Sequence, residues 1–404
     1  LLLVPLPFTP EFRQRAVELT VAAVIAGVSL AACGTADGAA PSAVILPGWR
    51  PVAKVAKPGR QPIFVGADAP AQRNAWALGF DVPLSKPDLS LAVFLLEHWD
   101  GTRWRQVRLP ASLTRKFSAT DPFDVTVQSS SSGLWLFGGD WLRLAGGKWT
   151  HGDFPAPGSG WQVDADSGVT PGGKNLWVFG SAYRHFTTTA YAARYDGRSW
   201  RITPVPGGRV IAAASAVSAR DIWAVEGYRA IDLNPGPVAG AVVVRWNGYR
   251  WARVRLPGAL ARNGILTSVL ARTSRDIWIG GAIRGAGGSL TPVMAHWDGR
   301  AWQVTRLATA SLAGNHVVSS IVADGAGGAW AAGLCVGCRK AAPDLLWHLH
   351  GGHWSPVPVN NLGTDAELAT LTEVAHTTSV WGVGIVLTRS LPAGLIALYG
   401  RAPR

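Results

Sequence analysis

Short runs of alternating apolar and polar residues, separated by glycine-rich turns, recur along most of this chain. The stretch 265–307 shows the pattern in full. "ILTSVLART" alternates and is rich in β-formers, which predicts a strand. "SRD" predicts a turn, "IWIGGA" a second strand, and "IRGAGGSLTP" a loop. "VMAHW" predicts a third strand, "DG" a turn, and "AWQVTRL" a fourth strand. Four antiparallel strands in about 50 residues make one propeller blade.

The same unit repeats. One anchor is a Trp after a tight turn, at Trp104, Trp149, Trp200, Trp251, Trp302 and Trp354, with Trp49 as a seventh copy near the N-terminus. A second anchor is a Trp with Gly three positions on, as in "WALG" at 76, "WVFG" at 177, "WAAG" at 330 and "WGVG" at 381. Trp135 and Trp278 carry it too, and Trp223 delays its Gly by one. Both anchors occur seven times. The last unit stops after three strands, and the orphan Trp49 segment supplies its fourth. A ring closed in this way leaves no open sheet edge. The expectation is an all-β, seven-bladed β-propeller of four-stranded antiparallel blades, closed by an N-terminal strand that completes the C-terminal blade. Trp297 and Trp302 should share one sheet face and pack together, as a structural device rather than a sugar-binding stripe. Of the 20 Trp, Trp141, Trp161 and Trp347 fall outside the repeat.

These units resemble kelch-type repeats. They are still more similar to the Trp-Ala-Val-Gly repeats of predicted secreted actinobacterial propellers, over roughly residues 45–400. Most units lack the double Gly usual in kelch. The resemblance implies binding or scaffolding.

The N-terminus reads as an address. Arg13 and Arg15 precede an apolar run from Leu19 to Leu30. That run is shorter than the roughly 20 residues a spanning helix needs, and the layout is that of a secretory signal. Leu30-Ala31-Ala32-Cys33 resembles the lipobox of bacterial lipoproteins, which implies a lipid on Cys33 after cleavage. The expected organisation is a signal over 1–32, a flexible tether over 33–44 and the propeller over 45–404. The protein is expected outside the cytoplasm, lipid-anchored to the outer face of the membrane or secreted.

The formal charge is +13, and Arg supplies 31 of the 38 basic residues. The Arg excess, with abundant Ala, Gly and Val, fits a GC-rich genome and a solvated basic surface. It also fits attraction to an anionic polymer. The export signal disfavours nucleic acid. A basic residue follows each Gly-associated Trp by six to ten positions: Lys86, Arg143, Arg184, Arg229, Arg284, Arg339 and Arg389. All but Arg143, whose unit has almost no loop, are candidate ligand-binding residues for a basic ring that takes an anionic group. Cys335 and Cys338 form a CxxC read as a small loop disulfide. "WHLHGGHW" at 347–354 places His348 and His350 on one side of a strand, yet His98 and His296 share the His348 position without companions, so no metal site is assigned. Asp221 and Asp276 precede repeated Trp and read as turn residues. No motif for a cofactor or a catalytic constellation stands out. The expected function is non-catalytic binding or scaffolding of a protein partner or an anionic envelope polymer. The rival is a propeller-type hydrolase or lyase acting on an extracellular polysaccharide.

Overall fold

The computed structural model describes residues 48–86, 88–112, 122–227, 240–309, 315–336, 345–363, 366–386 and 392–400. They form seven four-stranded antiparallel sheets. Strand one of every blade borders a common axial cavity. These innermost strands are Arg60–Ala71, Thr126–Ser130, Gln162–Val169, Ile211–Ser218, Gly264–Thr273, Asn315–Ala323 and Ala366–Glu373. The expected closure is present. Trp49–Val55 lies antiparallel to Ala393–Tyr399, with Trp49 opposite Tyr399 and Val55 opposite Gly394. Blade seven is therefore built from both ends of the ring. Lys57 and Arg60, just past the closing strand, both reach the buried Asp81 carboxylate of blade one. No helix among the described residues is long and apolar enough to cross a membrane.

The repeated Trp residues pack as expected within a blade, and also between blades. Trp297 lies directly opposite Trp302, with ring centroids 5.6 Å apart. In addition, the strand-two Trp of one blade meets the strand-four Trp of the next, edge to face. The pairs are Trp135–Trp200, Trp177–Trp251, Trp223–Trp302, Trp278–Trp354, Trp330–Trp49 and Trp381–Trp104, at interplanar angles of 79–87°. Such T-shaped pairs contribute roughly 0.5–1.5 kcal/mol each beyond the area they bury. The junction of blades one and two is filled by Phe80, Phe123, Val125 and Leu136.

The repeated Gly has an equally local cause. Six innermost strands carry a bulge, at Val65, Asp166, Ala212, Thr267, Ser319 and Ala369. A bulge bends its strand and drives a carbonyl toward strand two. A Cβ on Gly79, Gly180, Gly281 or Gly384 would lie 1.9–2.1 Å from the carbonyl oxygen of Ile63, Asp164, Ile265 or Glu367. No side chain fits there.

Polar side chains stitch the innermost strands into a ring. Thr126 donates to the Asp166 carbonyl, Thr267 to the Val318 carbonyl and Thr370 to the Val65 carbonyl. Asp68, Ser167, Ser215 and Ser320 accept from the backbone N–H of Ser129, Ala214, Ala271 and Leu371. All seven junctions are bridged, so these side chains pair backbone groups of the neighbouring innermost strand.

Candidate functional site

The fold has two unlike faces. The turn face carries the connections between strands one and two and between strands three and four. The loop face carries the connections from strand two to three and from each blade to the next. The axial cavity between them measures about 250 Å³. Its described lining is mostly hydroxyl and small apolar side chains, with Asp166 as its single carboxylate. Glycoside hydrolysis uses a pair of carboxylates, and the described lining of this cavity holds one.

The proposed basic ring is described at three of its six members. Lys86 is exposed and pairs with Asp88 at 3.4 Å. Arg284 ends strand two of blade five, Asp276–Arg284, and is half-buried. Arg184 is exposed and ends strand two of blade three, Leu176–Arg184. None of the three borders the axial cavity. Arg229, Arg339 and Arg389 lie outside the described residues, as do Cys33 and Cys338. Cys335, on strand two of blade six, is disulfide-bonded.

Arg143 lies on a strand, opposite Trp135, with its guanidinium over that ring. This place is a repeat position that sequence reading glimpsed only for histidine. His98, Arg194, Arg245, His296 and His348 each lie opposite the strand-two Trp of their blade. The three imidazoles stack on those rings at 4.0–4.2 Å. The turn-residue reading of Asp221 and Asp276 needs correction. Asp221 accepts two hydrogen bonds from Arg245, and Asp276 accepts one from His296. Asp324 does the same for His348. The acid holds the cation or imidazole flat on the indole. A sequence signal was present in four blades, where His98, Arg194, Arg245 and His296 directly precede the strand-three aromatic. Among the described residues no cluster of three or more His, Cys, Asp or Glu could hold a metal.

Two of the three Trp outside the repeat lie on the loop face of adjacent blades. Trp141 is the second residue of strand three of blade two, Asp140–Ala145, and Trp161 directly precedes strand one of blade three. Both pack on the cluster around Phe137, Phe154 and Tyr191. Trp347 is instead fully buried and donates to the Ala308 carbonyl. The Arg184 guanidinium stands 5.6 Å over the Trp161 ring and has no carboxylate partner among the described residues. Arg184 pairs with Thr187, so His185 and Phe186 form a two-residue hairpin loop. His185 has φ of 52°, a region where glycine carries no steric cost. Phe186 is 75% exposed at the tip.

Two buried carboxyls lie elsewhere in the ring. Burial pushes Glu226, at the loop-face end of its strand, up to about 7, against the opposing pull of Arg253 and Arg209. Burial pushes Asp68 up to about 6 despite its hydrogen bonds from Ser129. Asp68 is a junction bridge, and Glu226 lies under the 203–210 loop, where a Cβ on Gly207 would strike its carboxylate.

No family model matches the chain, and no curated protein matches it. Solved structures do. "YCF48 bound to D1 peptide" is 13% identical with a TM-score of 0.53, over 89% of this chain and 99% of that one. A protein of unknown function from Dyadobacter fermentans is 10% identical with a TM-score of 0.47, over 88% and 100%. At this identity the first likeness defines the class, a β-propeller.

Proposed function

We propose that this chain is a non-catalytic binding propeller, held outside the cell by a lipid on Cys33, that recognises an acidic, apolar-bearing segment of a protein partner. The observation that carries the proposal is the hairpin tip of blade three. A strained non-glycine turn presents an exposed Phe186 beside Arg184, which a Trp face holds in place. Backbone strain is concentrated where function repays it. An exposed aromatic next to a charge that has no counter-ion among the described residues is the chemistry of an interface hot spot. The charge of +13 supplies long-range attraction to an acidic partner. A propeller of similar fold solved with a peptide supports a protein segment as the class of ligand.

The tether fits this geometry. Trp49 begins strand four of blade seven on the turn face, opposite the loop face. A chain anchored through Cys33 would turn its loop face outward from the bilayer. Mass spectrometry of the mature N-terminus should find the lipid on Cys33, and Cys33→Ala should release the protein into the medium.

A pull-down from the native envelope tests the binding reading. The wild type should recover a protein that Arg184→Ala and Phe186→Ala each lose by about tenfold or more. Recovery that both variants leave intact, or capture of an acidic polymer in place of protein, would overturn it.

A further inference from the structure

The larger cavity lies on the other face, away from the hairpin tip. It is a cleft of about 550 Å³ between blades five and six, within the roughly 300–1,000 Å³ of small-molecule sites. Its origin is a departure from the repeat. Blades one, three, four and five join strands three and four through four-residue turns, whereas blade two uses Gly146-Gly147 and blade six Gly351-Gly352. The neighbouring turn of blade six supplies Gly327 and Gly328. A Cβ on Gly327, Gly351 or Gly352 would meet no atom within 4 Å. In blade six two side-chain-free turns, Gly327-Gly328 and Gly351-Gly352, lie side by side and line the opening.

The charges of the cleft are largely satisfied within it. Asp276 accepts from His296 at 2.9 Å and pairs with Arg272 at 2.9 Å. Arg272 also donates to the Gly327 and Gly328 carbonyls. The one guanidinium of the lining is thereby consumed, which disfavours an anion. One oxygen of Asp298 accepts from the N–H groups of Ala301 and Arg300, which hold its carboxyl below the usual range. Its second oxygen is a single acceptor on a strongly basic protein, too little to retain a cation. What remains is the exposed His350, Gln303 and Thr305, with that oxygen: donors and acceptors of hydroxyl strength, without net demand for charge.

We propose that this cleft binds a neutral, hydroxyl-rich ligand of the sugar class. Hydroxyls donate to Asp298 and accept from Gln303 and His350. The Trp278 ring is covered by His296 and Trp354, so no aromatic face is free for stacking. The affinity expected is therefore in the millimolar range, about −4 kcal/mol.

The test uses the full chain with carbon-13-labelled histidine, of which there are nine. Maltose should shift the His296 and His350 imidazole signals saturably and leave His98, in blade one, unmoved. Gln303→Ala should weaken half-saturation about fivefold. Gly351→Asn, which puts a side chain into the opening while Asn-Gly remains a favoured hairpin turn, should abolish the shift. Free arginine and inorganic phosphate should give no saturable change. The proposal is overturned by the absence of saturation up to about 100 mM maltose, by shifts that both variants leave unchanged, or by saturation with either ionic probe in place of maltose.

Discussion

A Gly three positions after a Trp looks like a loose consensus until its neighbour is seen. At Gly281 the missing Cβ makes room for a backbone carbonyl 1.9 Å away, and a carbonyl in a bulged strand cannot swing aside as a side chain would. Gly281→Ala should therefore destabilise the fold by about 2–3 kcal/mol. Gly287→Ala, at φ 72° in open space, should cost only about 1 kcal/mol. Urea unfolding of the two variants checks the difference. His185 sits in the same backbone region without being glycine, so His185→Gly should leave the fold unchanged or stabilise it by up to about 1 kcal/mol. Glu226 makes a pH prediction. Its folded pKa lies near 7, above its ordinary value, so the native state holds the proton more tightly than the unfolded chain does. Stability from this group is full below about pH 4.5 and declines until about pH 7, by on the order of 3 kcal/mol. Glu226→Gln should flatten that part of the stability curve in denaturant titrations at successive pH values.

At the scale of the element, alternation and turn residues located the strands, and the structure moved some boundaries. The stretch 283–292 reads as a loop because it holds four Gly or Pro residues among ten. Pairing continues through Arg284 and resumes at Leu290, so the loop shortens to 285–289. Partner strands impose their ladder where local propensity is weak. The Asp residues before repeated Trp show a related limit. A turn preference was legible, but the imidazole or guanidinium that each acid orients comes from the opposite strand. Trp381 shows what the inter-blade contacts contribute. It is fully buried and touches Trp99 and Trp104 of blade one. Trp381→Ala should cost about 3–5 kcal/mol and Trp381→Phe under about 2 kcal/mol, read from thermal or denaturant midpoints.

For the whole molecule the decisive feature is closure. The closing strand Trp49–Val55 covers an edge that would otherwise present unpaired N–H and C=O groups. Removing residues up to 55 should yield oligomers or aggregate on size-exclusion chromatography, whereas removing residues up to 44 should leave a monomer-sized ring. The two functional proposals rest on opposite faces of that ring, and each sits where one unit departs from its siblings. The blade-three tip holds His185 at positive φ and exposes Phe186, and blade six sets Gly351-Gly352 beside Gly327-Gly328.

By itself the sequence determined the number of blades, the closing strand and the structural role of the Trp pairs, because repeats copy local packing demands at fixed spacing. Trp141 and Trp161 were legible as exceptions, but not as neighbours. Tertiary structure decided which polar residues bridge the blades, why the Gly is required, and, among the described residues, that Arg184 has no carboxylate partner. Those properties depend on the partner that a second blade brings near, and spacing along one chain does not encode that distance.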